Sequence, residues 1–188
     1  MCIRDRIITL LKQRLQYIDG LDYTDEAVAE IARLVATYFY GDFRKALEMT
    51  LNIVRNKGRL YLEDVEAEWK SEKRRFWIGE FSKLNPHQLI ILYALAYMSV
   101  QKRRKTGEEY PHILYKDLAS ASNTLCKKFN IRSISPRMMT YWINRLEENG
   151  WLVRVKSDRK LYVTIGHNPE TLLDAFEHLD WDIVLAKV

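Results

Sequence analysis

The sequence has 188 residues, 47% hydrophobic and 29% charged, with a formal net charge of +5 and a pI near 9.1. This length suits two small domains with separate cores, and no apolar run approaches the roughly 20 residues that span a bilayer, so no membrane partner is expected. The charged start lacks a secretory signal's apolar segment, and Cys2 and Cys126 lie far apart without metal-ligand spacing, which argues against a disulfide framework or a zinc site and for a cytoplasmic setting.

Ile7, Leu10, Leu11, Leu15 and Ile18 recur at helical spacing until Asp19-Gly20. This helix begins without an entry segment, so the chain is expected to be a fragment; Met1 to Arg6 also resembles a translated sequencing-adapter tract, and no argument rests on it. Thr24, followed by Asp25 and Glu26, caps a second helix with the stripe Val28, Ile31, Ala32, Val35 and Phe39. Asp42 caps a third, through Phe43, Ala46, Leu47, Met49, Ile53 and Val54, which stops at Asn56-Lys57-Gly58. A fourth begins near Leu62 and runs through Val65 and Trp69 toward Trp77. The charge-dense stretch from Glu66 to Lys83 still carries Trp69, Phe76, Trp77, Ile78 and Phe81, so it reads as a helical connector, with a domain boundary near Leu84 dividing residues 1–83 from 84–188.

Asn85-Pro86 opens a strongly apolar helix from His87 to about Val100, ended by Lys102-Arg103-Arg104-Lys105 and Gly107. The basic run reads as a solvated helix end that complements the dipole. A helical region is expected from Ile113 to Phe129, and then a helix opened by Ser135-Pro136 and closed by Asn149-Gly150. From Trp151 the period changes: Leu152, Val153, Val155, Leu161, Tyr162, Val163 and Ile165 flank a polar stretch, Lys156 to Lys160, and predict a hairpin. Asn168 and Pro169 start a last acidic helix through Leu172, Leu173, Phe176 and Leu179 in the segment that ends at Val188.

Three helices followed by a hairpin with a basic tip have the order of a winged helix-turn-helix, in which a helix enters the major groove and the wing straddles the backbone. The predicted recognition helix is Pro136–Glu148, with Met139, Trp142, Ile143 and Leu146 on its core face. Arg137, Thr140, Tyr141 and Asn144 then face outward as candidate DNA contacts. Arg137 sits where helix N-terminal amides favour phosphate, the preferred contact, although its guanidinium could instead read guanine bidentately; Thr140 and Asn144 are candidates for base edges, and Arg132 for the backbone. Lys156, Arg159 and Lys160 outnumber Asp158 at the wing tip and should draw the duplex by charge. The competing reading is a solvated surface on a winged helix that docks another protein. His87, His112, His167 and His178 are scattered and do not suggest a hydrolase.

The most specific string is Gly41-Asp42-Phe43-Arg44-Lys45-Ala46-Leu47. It resembles the sensor-2 motif of archaeal origin-recognition and cell-division-control-six-type replication initiators, which are AAA+ proteins. The resemblance runs collinearly through Leu62-Glu63-Asp64-Val65, Leu84-Asn85-Pro86-His87-Gln88-Leu89, Leu125-Cys126 and Ser135-Pro136-Arg137. It implies a mainly α fold, a four-helix AAA+ lid subdomain followed by a winged helix-turn-helix domain with one β-hairpin wing. It further implies that Arg44 reaches the phosphates of a nucleotide, where a permanently charged planar fork couples nucleotide to lid position. Leu118 and Ser122 stand where the family carries tyrosines, Met138 where a second arginine is common, and the segment from Glu108 to Lys116 reads as longer.

The sequence contains no Gly-rich phosphate loop with Lys-Ser/Thr and no acidic strand end for magnesium, so this chain alone is not expected to hydrolyse or hold ATP. By the resemblance, a full-length parent would be an ATPase using ATP or ADP with Mg, binding double-stranded DNA at replication origins, working with a replicative helicase and other initiator subunits, and located on the nucleoid, or in the nucleus of a eukaryote. The rival readings are a winged-helix transcription regulator with a helical N-terminal domain and a winged-helix protein-interaction adaptor.

Overall fold

A computed structural model describes residues 2–185, so the last three residues of the expected C-terminal helical segment lie outside the described residues. The chain divides into two compact units, Met1–Glu72 and Lys73–Val188.

In the first unit, helices α1 (Ile3–Leu15), α2 (Asp25–Tyr38) and α3 (Phe43–Lys57) surround a core closed by the start of α4 (Leu62–Phe81). Ile7, Leu11 and Leu15 meet Val28, Ile31 and Val35 of α2, Met49 and Ile53 of α3, and Val65 of α4, all buried. Leu10 and Ile18, read as part of the first stripe, lie at the surface because the buried side of α1 narrows to one residue per turn. The Thr24 hydroxyl accepts from the Ala27 amide at 3.3 Å and the Asp42 carboxylate from the Arg44 amide at 2.9 Å, so each side chain satisfies an amide that the first helical turn cannot. Two short strands, β1 (Asp22–Tyr23) and β2 (Arg59–Leu60), pair in parallel, and at two residues each they fall below what sequence periodicity can signal.

The second unit is built on α5 (Pro86–Thr106), where Leu89, Ile90, Ile91, Leu92, Leu95 and Ala96 are all fully buried. A helix buried around most of its circumference needs partners on several sides. Here they are α6 (Tyr115–Lys128), α7 (Pro136–Glu148), a three-stranded antiparallel sheet and α8 (Pro169–Glu177), with the short α9 (Trp181–Leu185) behind. The sheet order is β3 (Ile113–Leu114), β5 (Lys160–Ile165), β4 (Leu152–Ser157). Two expectations are corrected. Helix α5 continues past Val100 through the basic run, whose charges suit a helix C-terminus, and ends at Gly107 with φ 74°. Ile113 and Leu114 are strand, not helix, because they pair with Val163 and Tyr162 and so satisfy the free edge of β5.

Trp77, Ile78 and Phe81, on the last turns of α4, pack with the second core, Phe81 stacking on Phe176 at 4.0 Å between centroids. The division between packed units therefore falls inside α4, between Glu72 and Lys73, and not near Leu84 as the sequence suggests.

Two predictions follow from the second unit's packing. A Cβ at Gly166 would lie 2.6 Å from the Gly150 carbonyl oxygen, a backbone atom held in place by the hydrogen-bonded junction of Gly166 with Trp151. Gly166→Ala should therefore cost about 1–3 kcal/mol; a thermal melt should show a lower midpoint, and an unchanged one would contradict the close approach. His167 is half-buried, its ring 4.8 Å from Trp77 and 5.5 Å from Trp151, and burial pushes its imidazole below the ordinary 6.5. Between the folded value and 6.5 the unfolded chain binds the extra proton, so stability from the neutral ring is complete above about 6.5 and declines as pH falls below it. Melts between about pH 5 and 7 should show His167→Gln flattening this decline; an identical slope would contradict it.

Candidate nucleic-acid interface

The geometry of α7 decides what the second unit shows to a partner. Ser135 caps it, its hydroxyl accepting from the Met138 amide at 3.3 Å, and Pro136 occupies the first helical position, where the missing N–H leaves no bond unmade. Met139, Ile143 and Leu146 are buried at spacings of four and three, with Trp142 packed beside them. With one face fixed in the core, Arg137, Thr140 and Tyr141 are exposed and Asn144 is half-buried at the edge.

The outward side chains are not equally available. The Thr140 hydroxyl donates to the Pro136 carbonyl at 3.1 Å and lies 3.1 Å from the Tyr115 hydroxyl, so its proton is committed within the protein and its methyl and one oxygen lone pair are what remain to offer. The Tyr141 ring packs against Trp142, with the Arg145 guanidinium 5.7 Å from its centroid. Asn144 accepts a 2.6 Å bond from Arg154 Nη1. Arg132 is exposed ahead of the helix, its carbonyl held by His87 Nε2 at 3.0 Å, and with Ser135, Met138 and Trp142 it lines an open cavity at the start of α7.

The wing is tighter than expected. Lys156 and Lys160 belong to β4 and β5, which pair as Ser157↔Lys160, leaving a two-residue turn of Asp158 and Arg159 with φ 49° and 60°. Two successive left-handed residues give the turn whose twist matches a hairpin's, a conformation that aspartate tolerates better than arginine. Lys156, Arg159 and Lys160 are all exposed. Alternation along β4 puts Leu152, Arg154 and Lys156 on one face, opposite Ile165, Val163 and Leu161, so Arg154 reaches α7 from the core side of the sheet.

Acidic groups nearby are neutralised locally. Arg154 donates through its backbone N–H to Glu147 Oε1 at 3.0 Å, through Nε to Oε2 at 2.7 Å, and also through Nη2 to Oε2. The guanidinium holds the Glu147 carboxyl below the usual carboxylate range. Glu148 is paired with Arg145 at 3.2 Å. Among the described residues no acidic side chain pairs with Arg132, Arg137, Lys156, Arg159 or Lys160, so positive charge around α7 and the wing is left uncompensated. Sequence reasoning missed Arg154 and Glu147: a charged side chain among strand formers reads as solvated whichever face it takes, and a bond to a helix seven residues earlier leaves no periodic signal.

In the first unit, Gly41 has φ 81° and follows Tyr40 at φ 53°, a left-handed pair that sets Asp42 at the cap of α3. Arg44 is exposed in the first helical turn, and among the described residues no acidic group pairs with it. Its neighbour Lys45 is tied to Glu48 at 2.8 Å and Glu72 at 3.8 Å. Leu118 and Ser122, the departures from the family pattern, are fully buried in the second unit, Ser122 donating to the Leu118 carbonyl at 2.8 Å, so neither is a surface contact. Among the described residues no helix is long and apolar enough to cross a membrane.

No family model matches the chain, and no curated protein matches it by sequence. Solved structures do. The Aeropyrum pernix ORC1 protein in complex with DNA matches over 98% of this chain and 48% of its own, at 16% identity and a TM-score of 0.59. CDC6P from Pyrobaculum aerophilum covers 96% of this chain and 49% of its own at 19% identity, TM-score 0.44, and Drosophila ORC bound to DNA covers 92% and 44% at 16%, TM-score 0.47. The chain thus spans about half the length of the structures it matches. At this identity the likeness is one of fold: the chain is mainly α, a helical lid unit followed by a winged helix, with the architecture of the matching half of the Aeropyrum pernix ORC1 protein.

Proposed function

We propose that the second unit binds duplex DNA, with α7 at the major groove and the β4–β5 wing on the adjacent backbone, as part of a replication-initiator protein. The observation that carries this reading is electrostatic: among the described residues, exposed cations at both the start of α7 and the wing lack acidic partners, while Glu147 and Glu148 are taken up by Arg154 and Arg145. Phosphates supply the missing counter-charge, and release of their counterions drives association. Arg132, Arg137, Lys156, Arg159 and Lys160 position the duplex; Tyr141, Asn144 and the Thr140 methyl meet it closer to the bases. The fold shared with an ORC1 protein solved in complex with DNA supports the same assignment.

Arg44 is the nucleotide-sensing residue in this reading. An exposed guanidinium in the first turn of α3 fits a phosphate, yet the chain supplies no phosphate loop, so ATP or ADP with Mg belongs to a nucleotide-binding domain outside this sequence. A bound nucleotide would supply phosphate charge, and Arg44 is the residue of this chain that would hold it. Origin recognition, a replicative helicase, other initiator subunits and location with the chromosome, on a nucleoid or in a nucleus, follow as parts of the same proposal.

Duplex binding measured across salt concentrations tests it. Log affinity should fall linearly with log salt, and replacing Arg137, Lys156, Arg159 and Lys160 by Ala should lower affinity for every sequence and reduce the slope by about 3 to 4. Salt-independent binding, or an unchanged slope in the fourfold variant, would favour a protein-docking winged helix.

A further inference from the structure

Asn144 and Arg154 meet where α7 passes the root of the wing, and their geometry fixes how the Asn144 amide is turned. An arginine side chain has donors only, so the Asn144 atom 2.6 Å from Nη1 is Oδ1, which settles the amide's orientation. The guanidinium cannot swing away freely, because Nε and Nη2 are both on Glu147, whose other oxygen holds the Arg154 backbone N–H. Asn144 Nδ2 makes no hydrogen bond among the described residues.

Resting on the duplex-DNA reading, we propose that Arg154 is a positioning residue that fixes the orientation of the Asn144 amide, holding Oδ1 at the root of the wing so that Nδ2 is the donor offered to hydrogen-bond acceptors of the duplex. The familiar pairing of asparagine with adenine needs Oδ1 to accept from the adenine N6 amine while Nδ2 donates to N7. Here one of the two Oδ1 lone pairs is taken by a charged donor, whereas Nδ2 keeps both of its protons to give. Its complements are purine N7, guanine O6, thymine O4 or a phosphate oxygen. Arg154, although a cation between helix and wing, is withheld from the phosphates by Glu147.

A double-mutant cycle on duplex affinity is the test, with the binding sequences of each variant read from a randomised duplex pool. Asn144→Ala and Arg154→Met should each weaken binding about three- to tenfold, the scale of one hydrogen bond, and the double variant should be no weaker than either alone. Arg154→Lys keeps the charge but lacks the fork that holds Glu147 and Asn144 together, so it should lose as much as Asn144→Ala while folding normally. Loss of a purine or thymine preference in Asn144→Ala places Nδ2 on a base acceptor; a uniform loss places it on phosphate. Multiplicative losses in the double variant or normal affinity in Arg154→Lys would overturn this proposal alone. A wild-type protein that binds no duplex would overturn the underlying DNA reading as well.

Discussion

Burial of one face of α7 is the constraint on which the candidate interface depends. Met139, Ile143 and Leu146 are fixed in a core shared with α5, and at about 1.5–3 kcal/mol for each large apolar side chain removed from water the helix has no freedom to rotate. That rotation determines that Arg137, Thr140 and Tyr141 look outward and Asn144 lies toward β4. The sheet adds the second constraint, since pairing β4 with β5 through Ser157↔Lys160 holds the basic turn at a fixed distance from the helix. Electrostatics then acts on a surface that packing has already shaped.

The acidic residues near this surface show how charge is sorted. Glu147 and Glu148 close α7, where a helix C-terminus disfavours negative charge, and unpaired they would repel a polyanion. Arg154 and Arg145 neutralise them within the protein, and the arginines so used are withdrawn from any partner. The cations left over are those at the helix start and on the wing. A net charge of +5 over the whole chain carries far less information than this local division.

Much of the fold was legible because its signals are local. The bounds of α7 follow from Ser135-Pro136 at one end and Asn149-Gly150 at the other, and the caps Thr24 and Asp42 make the bonds that their side chains suggest. What escaped was non-local. The strand at Ile113-Leu114 exists only because β5 offers it an edge, and the pairing of β1 with β2 joins residues far apart in the chain. Trp77 and Phe81 read as a connector because nothing in the sequence shows which core receives them. At the interface the exposed residues were found from helical period, whereas the engagement of Asn144 by Arg154 required coordinates. Arg44 stands out in the sequence by resemblance, and the structure adds that it is exposed while Lys45 is tied to Glu48 and Glu72.

The claim that α7 and the wing together form the duplex-binding surface is tested most directly by titrating isotope-labelled protein with a DNA duplex and mapping the backbone amides that shift. One contiguous set of shifts is expected, centred on Arg137, Thr140, Tyr141 and Asn144 and extending to Asp158 and Arg159. Shifts confined to the open surface of α5 and α6 around Tyr93, Tyr97 and Leu125, with α7 and the wing unmoved, would contradict it.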